Sequence, residues 1–349
     1  MKRLIIRADA SIEMGSGHLM RCLALAQAWQ DAGGKVTFVT ACQNDGLLQR
    51  LREEGFDIHL LTQPFPDLGD WERMAEILAA HPNTPVVLDG YHFDEAYQQR
   101  LREAGHQLLV IDDMAHLKHY YADIVLNQNL HAEQLHYSCE PYTRLLLGTR
   151  YVLFRREFLA RRGWQREVPE LARHVLVTLG GGDPENHTLK VIQAVQKTDA
   201  PVLEATVLIG ASNPHADVLE AAIKESRVSI RLIRDARNVP ALMAQADVAI
   251  SSAGTTVWEL AFMGIPTIVA VTTPIESFLV KGLDKYGLFY NAGWLRRLSM
   301  ARLAGLLSRL VKDTGARRDM ASLGQRLVDG AGCDKVLKYL TNGGRLIES

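Results

Sequence analysis

Short apolar runs alternate with amphipathic stretches along most of the chain. In the first half the runs are Leu4–Ile6, Val36–Val39, Ile58–Leu61, Val86–Leu88, Leu108–Ile111 and Ile124–Leu126. Between them, Leu19–Trp29, Asp45–Glu54, Trp71–Ala80 and Phe93–Ala104 repeat their apolar positions at the spacing of one helix face. Runs that are apolar on both faces and alternate with helices predict the strands of a parallel sheet covered on both sides. The alternation pauses between about Gly148 and Arg173. Phe154–Arg166 is charged, lacks a strand signal and is followed by Pro169, so it reads as a connection between domains. The pattern then restarts, with runs Val175–Leu179, Glu204–Ile209, Ser229–Leu232, Val248–Ser251 and Thr267–Val271. Helical stretches follow at His187–Gln196, Pro214–Lys224, Val239–Gln245 and Thr256–Met263, and Arg302 to Leu340 is mostly helical. The chain is therefore expected to be α/β, with two doubly wound, Rossmann-like parallel-sheet domains, 1–155 and 156–349, facing a cleft. Ligands of such sheets sit beyond the carboxyl ends of the strands.

A length of 349 residues suits two domains rather than one core. Lys and Arg number 39 against 40 Asp and Glu, a net charge of −1. That balance argues against nucleic-acid binding, which needs a basic surface. The pairs Arg155-Arg156 and Arg161-Arg162 read as solvated faces of a linker helix. The four cysteines, Cys22, Cys42, Cys139 and Cys333, show no metal-ligand spacing, so no zinc site is expected. Cys22 lies one turn past His18, but its helical neighbours Leu19, Leu23 and Ala26 favour a buried core thiol. The start, Met-Lys-Arg and then a strand-like run, has no secretory h-region, and no run is long enough to span a membrane. A cytoplasmic monomer is the expectation.

Three loops carry candidate chemistry. The first runs from Arg7 to His18, through Gly15-Ser16-Gly17, between a strand and a helix. A glycine turn there lets backbone approach a ligand closely and aims helix N–H groups at negative charge. The positive end of a helix disfavours imidazolium, so His18 suits a base beside a phosphate; a tight turn with a capping histidine would give the same letters. The second is Val175 to Pro184, a strand running into Gly180-Gly181-Gly182-Asp183-Pro184. It lacks the Gly-Lys-Ser/Thr of a Walker loop and the spacing of a dinucleotide fingerprint, yet offers N–H groups to an anion. The third, Ala249 to Leu260, is again strand, small-residue turn and helix. Ser252, Gly254, Thr255 and Thr256 can present N–H and hydroxyl donors to a diphosphate. Glu259, one turn into the helix, suits a diol such as ribose, or offsets the helix dipole.

Together these loops resemble the GT-B class of nucleotide-sugar enzymes, and within it the UDP-sugar hydrolases of the pseudaminic acid pathway. The resemblance spans nearly the whole chain. It runs through Arg7 to Cys22, Leu88-Asp89-Gly90-Tyr91, Ile111-Asp112-Asp113, Leu126 to Leu130, Leu147 to Tyr151, Gly180 to Pro184, Ile209 to Pro214 and Ser251 to Glu259. One step departs from the family: where it shows Glu-Asn-Gln after the fifth strand of the second half, this chain has Glu276-Ser277-Phe278, which bears on the sugar carried.

The resemblance implies that His18 takes a proton from water attacking the anomeric carbon, with inversion, while UDP leaves. General-base help is worth roughly 10²–10⁴-fold. Asp89 and Tyr91 are expected to orient the sugar, the water or His18. Gly15, Ser16, Gly17, Arg21, Gly181, Gly182 and Ser277 are expected at the substrate, and uracil is expected near backbone groups of Ile209 and Ile233. Neighbouring strand residues point oppositely, so at most one of Asp112 and Asp113 faces the ligand, and Asp112 is the one assigned. No cofactor or metal is implied, since backbone amides can meet the leaving group's charge. The partner is a small nucleotide-sugar. Two alternatives remain: a GT-B glycosyltransferase, for which Lys118-His119-Tyr120-Tyr121 is a weak acceptor-patch candidate, and a non-catalytic nucleotide-sugar binding protein.

Overall fold

The computed structural model describes residues 2–11, 14–199, 203–211, 213–280 and 286–341. Ile12 and Glu13 of the opening motif and Ser212 of the motif at 209–214 lie outside the described residues. The chain divides into two compact units.

The first unit is a seven-stranded sheet in the order β3-β2-β1-β4-β5-β6-β7. Its strands are β1 (Arg3–Ala8), β2 (Lys35–Thr40), β3 (Asp57–Leu60), β4 (Val86–Asp89), β5 (Leu108–Ile111), β6 (Ile124–Asn127) and β7 (Arg144–Leu147). Every neighbouring pair is parallel. Helices α1 (Gly17–Asp31), α2 (Asp45–Glu53), α3 (Leu68–Ala80) and α4 (Glu95–Glu103) connect the strands. Three of the four start at side-chain caps: Asn44, Asp67 and Asp94 accept from Leu47, Gly69 and Tyr97 N–H. The apolar runs are explained by burial on both faces. Leu4 and Ile6 pack with Leu19, Cys22, Leu23 and Ala26 of α1, whereas Ile5 between them faces Met74, Leu78 and Tyr97.

A short helix, α5 (Arg156–Leu159), straddles the boundary. The second unit is a six-stranded sheet in the order β10-β9-β8-β11-β12-β13. It comprises β8 (His174–Thr178), β9 (Glu204–Ile209), β10 (Ser229–Arg234), β11 (Val248–Ser252), β12 (Thr267–Val271) and β13 (Tyr290–Trp294), all parallel. Its helices are α6 (His187–Gln196), α7 (Ala216–Lys224), α8 (Val239–Gln245), α9 (Thr256–Phe262), α10 (Pro274–Val280), α11 (Met300–Lys312) and α12 (Thr314–Leu327).

The final helix, α13 (Gly332–Thr341), belongs to the first unit and not, as the sequence led us to expect, to the second. Cys333, Val336 and Leu340 enter the core that α1 lines. Each such aliphatic side chain contributes about 1.5–3 kcal/mol on burial. The approach is close: a Cβ added to Gly332 would lie 2.1 Å from the carbonyl oxygen of Val152. The basic pair at the boundary is also not simply solvated. Arg155 is buried, and Arg156 bridges Asp31 at 2.8 Å and Glu54 at 2.9 Å. Tyr120, expected on an acceptor patch, is fully buried against Tyr137.

Candidate active site

In each sheet the strand order reverses once, between β1 and β4 in the first unit and between β8 and β11 in the second. Such a switch point leaves a crevice at the carboxyl ends, because the connections on either side run to opposite faces. The loops singled out from sequence occupy these two places.

At the first switch point, β1 leads through Gly15, whose φ of +74° is a left-handed conformation that favours glycine. Ser16 stands at the N-cap of α1 without a side-chain capping bond, and Gly17 is the helix's first residue. His18 therefore enters the first turn of α1 beside the end of β4, where Asp89 is the last strand residue. The imidazole is nearly buried, with 9% of its side chain exposed. Its Nδ1 lies 2.7 Å from Asp89 Oδ1. Arg21, one turn later on α1, donates Nε to Asp89 Oδ2 at 2.6 Å and Nη2 to Oδ1 at 2.6 Å. Burial alone would raise the Asp89 carboxyl, but the Arg21 guanidinium and His18 outweigh it and hold the group well below the usual carboxylate range. An ionised carboxylate only accepts, so the proton between Asp89 and His18 sits on Nδ1. Nε2 is then the basic nitrogen, and it has no hydrogen-bond partner among the described residues.

Tyr91 meets the His18 ring edge-on at 4.7 Å and donates its hydroxyl to Asp113 Oδ2. Burial, and then the Asp113 charge, push the Tyr91 phenol far above its ordinary value, so it acts as a neutral donor. The Cys22 thiol, 3.5 Å from Asp89 Oδ2, is likewise pushed up by burial and by that carboxylate. It is a core thiol, which excludes a thiolate nucleophile.

The structure corrects two assignments here. Asp112 does not face this group. Its Oδ2 accepts from Met114 N–H at 2.9 Å, Ala115 N–H at 2.6 Å and the Tyr137 hydroxyl at 2.8 Å, and its Oδ1 lies 2.7 Å from His116 Nδ1. These bonds staple its own turn, where Ala115 has φ +53°. Asp113 instead receives Arg21 Nη1 at 2.9 and 2.8 Å and Asn129 Nδ2 at 2.6 Å. Arg21, expected at the substrate, is 4% exposed with its donors spent on Asp89 and Asp113. Asp113 and Asn129 were not singled out from sequence. The signals were the 126–130 motif, which contains Asn129, and the Asp112-Asp113 doublet, which does not say which carboxylate the turn consumes.

At the second switch point the two loops differ. Gly180, with φ +90°, opens the turn after β8. A Cβ on Gly210, which follows β9, would come within 2.4 Å of the Gly181 carbonyl oxygen, so the two turns touch backbone to backbone. The start of α6 does not offer its first N–H groups to a ligand, because Asp183 takes them: His187 N–H at 2.8 Å and Thr188 N–H at 2.7 Å. Gly181 and Gly182 remain in the turn itself. After β11, by contrast, Thr255 at the N-cap of α9 makes no side-chain capping bond. Ser252 is buried at the end of β11, while Gly254, Thr255, Thr256 and Glu259 are half-buried. Ile209 ends β9, where its carbonyl accepts from Asp235 N–H at 2.9 Å, and Ile233 of β10 pairs with Leu208 of β9. Ser277 lies on α10 next to Glu276, whose Oε2 accepts from Thr272 N–H and hydroxyl, both at 2.7 Å. That fixes the start of α10 against the end of β12. Among the described residues, no group of three or more His, Cys, Asp or Glu is placed to hold a metal ion, and no helix is long and apolar enough to cross a membrane.

No protein-family model matches the chain. It is 26% identical over 282 residues to the uncharacterized protein MJ1062 of Methanocaldococcus jannaschii, a match covering 78% of this chain and 56% of that protein. The chain thus spans little more than half the length of that relative. It is 23% identical over 337 residues to the spore coat polysaccharide biosynthesis protein SpsG of Bacillus subtilis, covering 96% of each. With the UDP-2,4-diacetamido-2,4,6-trideoxy-beta-L-altropyranose hydrolase of Campylobacter jejuni it shares 26% over 262 residues, 74% of this chain and 87% of the other. Among solved structures, Acinetobacter baumannii MurG superimposes with a TM-score of 0.66 at 15% identity, over 98% of this chain and 99% of that one. A UDP complex of S. aureus MnaA gives 0.66 at 12%, over 100% and 98%. With two all-parallel sheets, each doubly wound, the chain has a GT-B-type fold.

Proposed function

We propose that this chain is a nucleotide-sugar hydrolase that releases UDP from a UDP-diacetamido-trideoxyhexose, as in pseudaminic acid-type sugar biosynthesis. His18 is the general base. The observation that carries this reading is the Asp89–His18 pair: a buried carboxylate 2.7 Å from Nδ1 holds the imidazole in the tautomer whose Nε2 can take a proton. Water gives that proton to Nε2 as its oxygen bonds to the anomeric carbon. The bond from that carbon to the diphosphate oxygen breaks, its electrons leave with UDP, and the configuration inverts. Asp89 and Tyr91 hold the ring, one through Nδ1 and the other edge-on. Ser252, Gly254, Thr255 and Thr256 are assigned to the diphosphate and Glu259 to the ribose hydroxyls, with Gly181, Gly182, Ile209, Ile233 and Ser277 at the nucleotide and sugar. Thr255 makes no side-chain capping bond at the start of α9, where Val257 and Trp258 N–H bond to the Gly254 and Thr255 carbonyls, whereas a carboxylate, Asp183, occupies the start of α6; that difference supports giving the diphosphate to the turn after β11. The similarity to the Campylobacter UDP-2,4-diacetamido-2,4,6-trideoxy-beta-L-altropyranose hydrolase supports the same class of substrate, and that to the Bacillus spore coat protein supports a part in polysaccharide biosynthesis.

The test is incubation with a panel of UDP- and CMP-sugars, following the released sugar and its anomeric configuration by NMR. Release of UDP and an inverted free sugar without any acceptor is the expected result. Turnover only when an acceptor alcohol is added would assign the chain to the glycosyltransferases instead. Tight UDP binding without release would make it a binding protein.

A further inference from the structure

Around His18 the carboxylates outnumber the cations. Arg21 and Cys22 face it from α1, Asp89 from the end of β4, Tyr91 from the loop after β4, and Asp113 from the end of β5 through Arg21. His116 lies one ring further out, 5.7 Å from Tyr91, and is occupied with Asp112, while His131 beside Asp113 is pushed toward its neutral form by burial and adds no cation to the count. Cys22 and Tyr91 are held in their neutral forms by burial. Arg21, whose guanidinium burial would weaken, is instead held firmly charged by Asp113 and Asp89. One guanidinium therefore serves two carboxylates, all at 5% side-chain exposure or less.

We propose that Asp113, acting through Arg21, is a positioning residue for the proton that His18 receives: it leaves this buried group one positive charge short until the imidazole is protonated. The proposal rests on His18 being the base. With neutral imidazole the group carries one net negative charge, and with imidazolium it carries none. An uncompensated charge is costly in a poorly solvated site, so the imidazolium formed when water is deprotonated is the state the surroundings complete. A lone Asp89–Arg21 pair would be balanced already and would resist a second cation. The second carboxylate supplies the deficit, and four hydrogen bonds from three donors hold it as an acceptor: two from Arg21 Nη1, one from Asn129 Nδ2 and one from the Tyr91 hydroxyl. The arrangement also fixes geometry, since a guanidinium bound on two sides cannot swing away from Asp89.

The test is a proton-NMR titration of the His18 imidazole in the full chain without substrate, alongside the pH–rate profile of kcat. Asp113→Asn removes the extra charge and keeps the shape, so its titration midpoint and the acid limb of kcat should both fall by about one pH unit, with KM little changed. Arg21→Gln removes the shared cation, so both should rise. A merely structural role would not move the two variants in opposite directions. An unchanged midpoint in a folded Asp113→Asn, or shifts of the same sign in both variants, overturns the proposal. Should one variant fail to fold, the other still decides, because each sign is specified. Opposite shifts in a chain that hydrolyses no UDP-sugar would leave this charge arrangement standing and overturn the reaction assigned above.

Discussion

Replacing Asp89 with asparagine tests the site most directly, because the exchange is nearly isosteric and the geometry gives its consequences. The carboxylate is fully buried and accepts two bonds from Arg21 at 2.6 Å and one from His18 at 2.7 Å. An amide offers one acceptor and one donor in place of two acceptors. With its oxygen at the Oδ2 position, the amide keeps Arg21 Nε but turns N–H toward both Arg21 Nη2 and Nδ1, so Nδ1 must become the acceptor and Nε2 can no longer act as base. With its oxygen at the Oδ1 position, it keeps Nη2 and Nδ1–H but sets N–H against Nε–H and no longer carries the charge that steadies an imidazolium. Either orientation loses at least one charge-assisted bond, each worth about 1.5–3 kcal/mol. Arg21 keeps its two bonds to Asp113, so the roughly 3–5 kcal/mol cost of orphaning a buried charge is not reached. The expected destabilisation is about 2–3 kcal/mol, or roughly 5–10 °C in the melting of the first unit. The expected loss in kcat is about 10²–10⁴-fold. The assay is UDP release at saturating substrate, with circular dichroism confirming the fold. A folded Asp89→Asn whose kcat stays within about threefold of wild type would refute the role given to the Asp89 carboxylate in holding His18 as the base.

Four further expectations follow from the same geometry. His18→Asn should still bind UDP with unchanged affinity by calorimetry while losing turnover; retention of wild-type kcat would remove His18 as the base. Glu259→Ala should weaken UDP binding by about tenfold, the worth of one good hydrogen bond to a charged group, and an unchanged Kd would count against the ribose role. Gly210→Ala pushes a methyl group toward the Gly181 carbonyl; it should lower the stability of the second unit by about 1–3 kcal/mol, seen as an earlier melt, and an unshifted melt would show that the turns can part freely. The last concerns acid. Asp9, Asp89 and Asp112 are all held below the ordinary carboxylate value despite burial, by His92 and Arg7, by Arg21 and His18, and by His116 and turn N–H groups. Their contribution is complete above the unfolded value near pH 4 and is lost as pH falls through the lower folded values. Thermal melts of the first unit should therefore fall steeply between about pH 4 and pH 2, and a flat profile over that range would contradict these pairings.

Much of the sheet was legible because burial on both faces demands uninterrupted apolar residues, as Leu4-Ile5-Ile6 shows. Of the four edge strands, β3 and β10 were read and β7 and β13 were not: β13 is interrupted by Asn291 and Gly293, and β7 lies where the alternation pauses, with Arg144 and Leu147 half-buried and Leu145 exposed. Likewise α13 was legible as an amphipathic helix, but amphipathicity says that a helix is covered and not by what. Its place was decided by Gly332, where only the missing side chain admits the Val152 carbonyl. At the site, strand-end motifs located His18, Asp89 and Tyr91. The choice between Asp112 and Asp113 lay in a turn that consumes the first carboxylate, and Ala115, a residue that does not advertise φ +53°, gives no hint of that turn. Similarly, Asp183 looked like a helix-start residue beside an anion loop, and it caps α6 itself.

The return of α13 to the first unit makes residues 157–329 an insertion within a unit built from both ends of the chain. During synthesis the order of completion is then reversed. The inserted unit has all its strands once its own segment has emerged and can close its core first. The leading unit must wait, with the α1 surface that Cys333, Val336 and Leu340 will cover still wet. The histidine-bearing helix is thus completed by residues made more than three hundred positions after it, which ties a covered α1 to the emergence of α13.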